Sequence, residues 1–99
     1  MYIYNVTINV EDEIHDTWFK WMKEKHIPDV LATKRFVDSK MYRVLLEKDN
    51  SITYSIQFFA NSMAELQLYQ ALDANRLQSD HKEKYSDKVV TFRTILEEV

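Results

Sequence analysis

"YIYNVTINVEDEIHDTWFKWMKEKHIPDVL", residues 2–31, changes its hydrophobic period once, and that change decides the fold. Over residues 2–10, Tyr2, Tyr4, Val6, Ile8 and Val10 alternate with Ile3, Asn5, Thr7 and Asn9. A period of two, rich in β-branched side chains, specifies a strand with one face greasier than the other. Glu11, Asp12 and Glu13 then put acid where a helix N-terminus favours it, with Asp12 the candidate cap. From Ile14 the period is helical. Ile14, Trp18, Trp21 and Met22 share one stripe, and Asp16, Lys20, Lys23 and Glu24 look outward. Pro28 has no backbone N–H to donate. It is expected to end this helix near His26 or to open a short new one through Leu31.

Working outward, residues 36–47 read as a second strand and 52–60 as a third. Between them Lys48-Asp49-Asn50-Ser51 is a turn built without glycine, and Asn50 is the residue best suited to a left-handed backbone. Ser62-Met63-Ala64-Glu65 fits a capping box and starts a second helix. Its inner stripe is Leu66, Tyr69, Leu72 or Asp73, Leu77 and His81, with Asp73-Ala74-Asn75 a weak point where a kink is expected. "KVVTFRTIL", residues 88–96, is a fourth strand. The order β-α-β-β-α-β predicts an α+β, ferredoxin-like fold: a four-stranded antiparallel sheet with both helices on one face. A chain of 99 residues is expected to form one such domain, residues 1–99.

That architecture leaves one sheet face bare. Strand parity places Asn5, Thr7 and Asn9 there, with Thr53, Ser55, Gln57 and Phe59 from the third strand. The second and fourth strands are apolar at both parities, as in Tyr42, Val44, Leu45 and in Val89, Val90, Phe92. Such strands expect cover on both sides, and a second copy of the chain is the simplest cover. The expected partner is therefore the protein itself, in a homodimer.

Composition removes several chemistries. Thirteen Lys and Arg against 16 Asp and Glu, with no long basic cluster, offer nucleic acid no electrostatic footprint. The absence of cysteine excludes disulfides, thiolate catalysis and cysteine-ligated zinc. The absence of glycine removes the elbow of a nucleophilic serine and the cradle of a phosphate loop. No apolar run approaches the roughly 18 residues of a membrane span, so no membrane partner is expected. "MYIYNVTINV" has neither a basic region nor an unbroken apolar core of a signal peptide, so the cytoplasm is the expected location. His15 and His26 share a helix face but stand roughly 16 Å apart along its axis, too far for one ion. His81 brings the count to two at most in any cluster. No metal site and no cofactor are expected.

The blocks "YNVTINV", "WFKWMKEKHIPDVLAT", "TYSIQFF" and "FRTILEEV" resemble an uncharacterised family of small bacterial dimeric α+β barrel proteins, over nearly the whole chain. More distantly the chain is similar to antibiotic-biosynthesis monooxygenases, EthD-like proteins and haem-degrading monooxygenases. The resemblance implies that two bare sheet faces meet in a dimer and that ligands sit between helices and sheet. It implies no reaction, because the family has no established one. Haem-degrading relatives set a histidine of the second helix beside an asparagine and a tryptophan. Here Asn5 points away from the helices, both tryptophans are on the first helix, and His81 is late in the second. These departures argue against haem.

His26 is the titratable group of most interest. At a helix end it would serve as a cap, its protonated form favoured by the dipole. Its other reading is a pocket residue, with Trp21 one turn back and Tyr4, Tyr54 and Phe58 on the covered sheet face. Tyr4, Trp21, His26, Tyr54 and Phe58 together suit a small, flat, mostly apolar or aromatic molecule. Trp18 reads as plain core. A secondary set, Asn5, Gln57 and Arg93, is placed by parity inside the dimer barrel. There Arg93 either clamps an anion or pairs with a glutamate across the interface. The expected function is small-ligand binding between sheet and helices. The alternatives are a cofactor-independent monooxygenase-like enzyme and a structural or protein-interaction module.

Overall fold

The computed structural model describes residues 1–46, 50–85 and 87–99. The period-two stretch is strand β1 (Tyr2–Glu11), and β2 (Asp38–Val44), β3 (Ser51–Ala60) and β4 (Val89–Glu97) join it in one sheet. The strand order is β2-β3-β1-β4 with every pairing antiparallel, which is the ferredoxin-like topology. β1 is central. It runs against β3 from Tyr2↔Ala60 to Glu11↔Ser51 and against β4 from Tyr2↔Glu97 to Val10↔Val89. Alternation then sorts the faces: Tyr4, Val6, Ile8 and Val10 are buried beneath the helices with Tyr54, Ile56 and Phe58. The second strand is shorter than the sequence suggests, and Phe36 leaves it to join the core.

The first crossover begins with a 3-10 turn, Asp12–Ile14, and continues as α1 (His15–Trp21), a π-helical turn (Met22–His26) and α2 (Ile27–Ala32). Pro28 does not end the helix at His26, contrary to the first of the two sequence expectations. The Ile27 N–H reaches back five residues to the Met22 carbonyl, so the ladder widens just before the proline. Pro28 then sits in the first turn of α2. A widened turn relieves the clash between a proline ring and the carbonyl four residues earlier. The inserted residue also shifts the inward stripe. After Trp18 and Met22 the buried positions are Ile27 and Val30, and His26 is left half-buried beside them. His26 therefore caps nothing; the helical run ends at Thr33.

The second crossover opens as expected, with Ser62 Oγ accepting the Glu65 N–H at 3.2 Å. Its helix is divided rather than kinked. α3 (Met63–Leu72) and α4 (Ala74–Tyr85) are separated by Asp73, whose φ is −122°. Leu72 is exposed, so the buried stripe passes from Leu66 and Tyr69 to Leu77 and His81. Without glycine, the left-handed positions among the described residues are Lys34 (φ 67°) and Asn50 (φ 65°). Lys48 and Asp49 of the expected turn, and Glu47 before it, lie outside the described residues.

The bare face carries a polar ladder along its middle. Asn5 Nδ2 donates to Thr7 and Thr94 Oγ1, and Asn5 Oδ1 accepts from Ser55 Oγ at 2.6 Å. Asn9 Nδ2 donates to Ser51 Oγ and Thr53 Oγ1. On either side stand exposed apolar residues: Tyr42 on β2, and Val90, Phe92 and Leu96 on β4. Among the described residues no helix is long and apolar enough to cross a membrane.

Candidate functional site

The site lies where both crossovers meet the covered face of the sheet. Tyr4 and Phe58 form part of its floor, the π-helical turn supplies Met22 and His26, and α4 supplies Gln78 and His81. The chamber they enclose is small, about 20 Å³. That is room for a single water. Beside it, sharing Gln78, His81 and Arg93, an open groove of about 450 Å³ runs between α4 and β4. This volume falls within the roughly 300–1,000 Å³ of sites that hold small molecules.

His81 is buried and locked. Trp18 Nε1 donates to its Nε2 at 3.0 Å. An indole nitrogen is only a donor, so Nε2 is unprotonated and the neutral ring carries its hydrogen on Nδ1. Trp21 stacks on His26 at 5.0 Å and on His81 at 5.7 Å, and the two imidazoles are themselves 5.7 Å apart. Burial lowers the pKa of each to about 4. At His81 the neighbouring His26 and Arg93 push the same way. At His26, Asp29 and Asp80 oppose the fall without cancelling it. Both rings are uncharged at neutral pH.

Arg93 is not with Asn5 and Gln57, and the expected trio is corrected here. Its register partner on β1 is Val6, a buried residue of the helix-covered face. Thr94 is the residue opposite Asn5, so the bare face of β4 belongs to Val90, Phe92, Thr94 and Leu96. Arg93 instead borders both the chamber and the groove. Arg35 and Arg76 pair with carboxylates, but among the described residues none lies within ion-pairing distance of Arg93.

Of the five residues expected to form the pocket, Tyr4, His26 and Phe58 border the chamber, and Trp21 stacks behind His26. Tyr54 does not join them, which is a second correction. It faces Ile8, four positions along β3 from Phe58, a separation of about 13 Å at strand rise. There it stacks on Trp18 at 5.5 Å, and its hydroxyl meets His15 Nε2 at 2.6 Å while Asp16 holds His15 Nδ1. Sequence reasoning put His81 on the inner stripe but missed its junction with Trp18, a contact across 63 residues. It also missed Gln78, whose Nε2 donates to the Tyr4 hydroxyl.

Solved structures share this fold at low identity. An EthD family protein from Bacillus halodurans superposes with a TM-score of 0.69 at 12% identity, covering all of both chains. A dimeric ferredoxin-like protein from an uncultured marine organism gives 0.70 at 12%, over 100% of this chain and 95% of that one. SnoaB, a cofactor-independent oxygenase from Streptomyces nogalater, gives 0.59 at 11%, over 98% and 92%. No curated protein matches the chain in sequence. The whole length, residues 1–99, matches one family, and the chain belongs to it: the domain of unknown function DUF4286.

Proposed function

We propose that this protein binds a small, largely apolar organic molecule between sheet and helices, and that it does so as a homodimer joined through the bare sheet faces. The observation that carries the ligand reading is the groove between α4 and β4, which opens beside an aromatic-lined chamber. The chamber alone is too small for an organic molecule, and the groove supplies the volume. Tyr4 and Phe58 give the chamber its buried aromatic wall, while the groove itself is lined by Val89 and by polar side chains that include Gln78, His81, Lys82 and Arg93. Such a lining orients a ligand by hydrogen bonds and charge, with apolar contact along Val89.

A thermal-shift screen with aromatic and fatty compounds, followed by amide NMR, tests this. A ligand at a hundred times its Kd stabilises the folded state by about 2.7 kcal/mol. Shifts are expected at His81, Gln78 and Arg93. A screen with no stabilising compound would leave the interaction-module reading in its place. Dimerisation is supported by exposed Tyr42, Val90, Phe92 and Leu96 flanking the polar ladder, and by the dimeric state named for one structural neighbour.

A second reading, a cofactor-independent oxygenase, draws on the likeness to SnoaB and on two uncharged imidazoles at the chamber. Imidazoles with pKa values near 4 are weak bases at neutral pH, which ranks this reading second. Oxygen consumption with quinol-like substrates tests it directly.

A further inference from the structure

Resting on the ligand reading above, we infer that the bound molecule is an organic carboxylate, with its acid head held by Arg93 and the rest of the molecule lying along the α4–β4 groove. Charge distribution is the first ground. The chain has more acids than bases, 16 against 13, yet no Asp or Glu lines this groove. What lines it includes two cations, Arg93 and Lys82, and neither has a carboxylate partner among the described residues. The planar guanidinium of Arg93 matches a carboxylate in two parallel hydrogen bonds.

The second ground is hydrogen-bond polarity. His81 spends its acceptor, Nε2, on Trp18. Its remaining polar atom is the Nδ1–H, a donor with no hydrogen bond to another described residue, on a side chain that lines the groove. Gln78 directs its amide nitrogen to Tyr4. The groove lining thus combines a guanidinium, an ammonium and a histidine whose uncommitted ring nitrogen is a donor, a set that lacks a negative charge and would hold one. The groove, at about 450 Å³, is far larger than a simple inorganic anion, so an organic remainder of the molecule is needed to fill it.

Three matched pairs test the inference: benzoate and benzamide, 2-naphthoate and 2-naphthamide, octanoate and octanamide. Each is titrated at pH 7 into the 15N-labelled full chain and into its Arg93→Gln and Lys82→Gln variants, following backbone amides and arginine Nε–H signals. Arg93 is exposed on an edge strand, so Arg93→Gln is expected to fold, and its amide spectrum verifies this. At least one acid should bind about tenfold or more tightly than its amide. Arg93→Gln should remove that preference, and Lys82→Gln should only weaken it. Equal binding of acid and amide would overturn the carboxylate inference and leave the ligand reading standing. An acid preference that survives Arg93→Gln would overturn the assignment of the anchor. Failure of every probe, neutral and charged, would overturn the ligand reading and this inference with it.

Discussion

The two faces of the sheet meet water in different ways. Beneath the helices, Tyr4, Val6, Ile8 and Val10 are buried by the chain's own residues, packed with Trp18, Met22, Leu66 and Leu77. On the other face the same strand shows Asn5, Thr7 and Asn9, which tie β1 to β3 and β4 through side-chain hydrogen bonds. The first face holds a single chain together by apolar burial. The second satisfies its polar centre locally and leaves an apolar flank over. The burial that folds the chain and the apolar flank that the proposed dimer would use are thereby separated onto opposite sides of one sheet, so that each can be disturbed without the other.

The largest effect belongs to the covered face. Trp18 is fully buried, stacks on Tyr54 and donates to His81. Trp18→Ala should cost on the order of 3 to 5 kcal/mol, a large part of a small domain's stability. Urea denaturation gives the number. A cost under about 1 kcal/mol would break the claim that this face carries the fold.

Acid should act on the same face. His26 and His81 have pKa values of about 4 in the folded chain against 6.5 as free groups. Between those pH values the unfolded chain binds protons that the folded chain refuses. Stability is therefore fully present above pH 6.5 and falls as the pH drops towards 4. At about 1.4 kcal/mol per pKa unit, reduced by half because water reaches the half-buried His26 and because two rings 5.7 Å apart titrate as a pair, the two together amount to on the order of 3 kcal/mol. Melting curves from pH 7 to pH 4 measure this. His26→Gln with His81→Gln should flatten that dependence, since glutamine still accepts from Trp18 but does not titrate. An unchanged slope in the double variant would assign the acid sensitivity to carboxylates elsewhere.

On the bare face the effect moves from folding to assembly. Phe92 is 59% exposed within one chain. Phe92→Glu should change chain stability by about 0.5 kcal/mol or less. In a dimer it would bury a charge and drive dissociation. Light scattering of both proteins at micromolar concentration separates the cases. A wild-type mass at the 11.9 kDa of one chain would remove the second copy as the cover. The smallest effect is expected at Asn9, whose amide donates to two hydroxyls. Asn9→Ala should cost about 1 kcal/mol in a denaturant titration. A loss as large as that of Trp18→Ala would mean that the polar ladder, too, holds the fold.

Legibility in the sequence followed how local the responsible geometry is. Period two from Tyr2 to Val10, the Ser62 cap and the left-handed Asn50 each depend on a few neighbouring residues, and each reads correctly. β4 does not, because Val89, Val90, Phe92 and Ile95 put apolar residues at both parities. Only the register against β1 turns Arg93 towards the helices, since a slip of one residue exchanges the faces of a strand. For Tyr54, parity told the face and not the position along it.

The sequence by itself thus determined the order of elements, the buried face of β1 and β3, and a helical run starting near Ile14. Backbone geometry dictates these within a few residues, so pattern suffices. The tertiary structure decided that the helix passes through Pro28 by widening at Met22–His26, that Trp18 meets His81 across the two crossovers, and that Arg93 stands at their mouth. Those outcomes depend on how separately formed elements pack, and no local period encodes the contact of residues 63 positions apart.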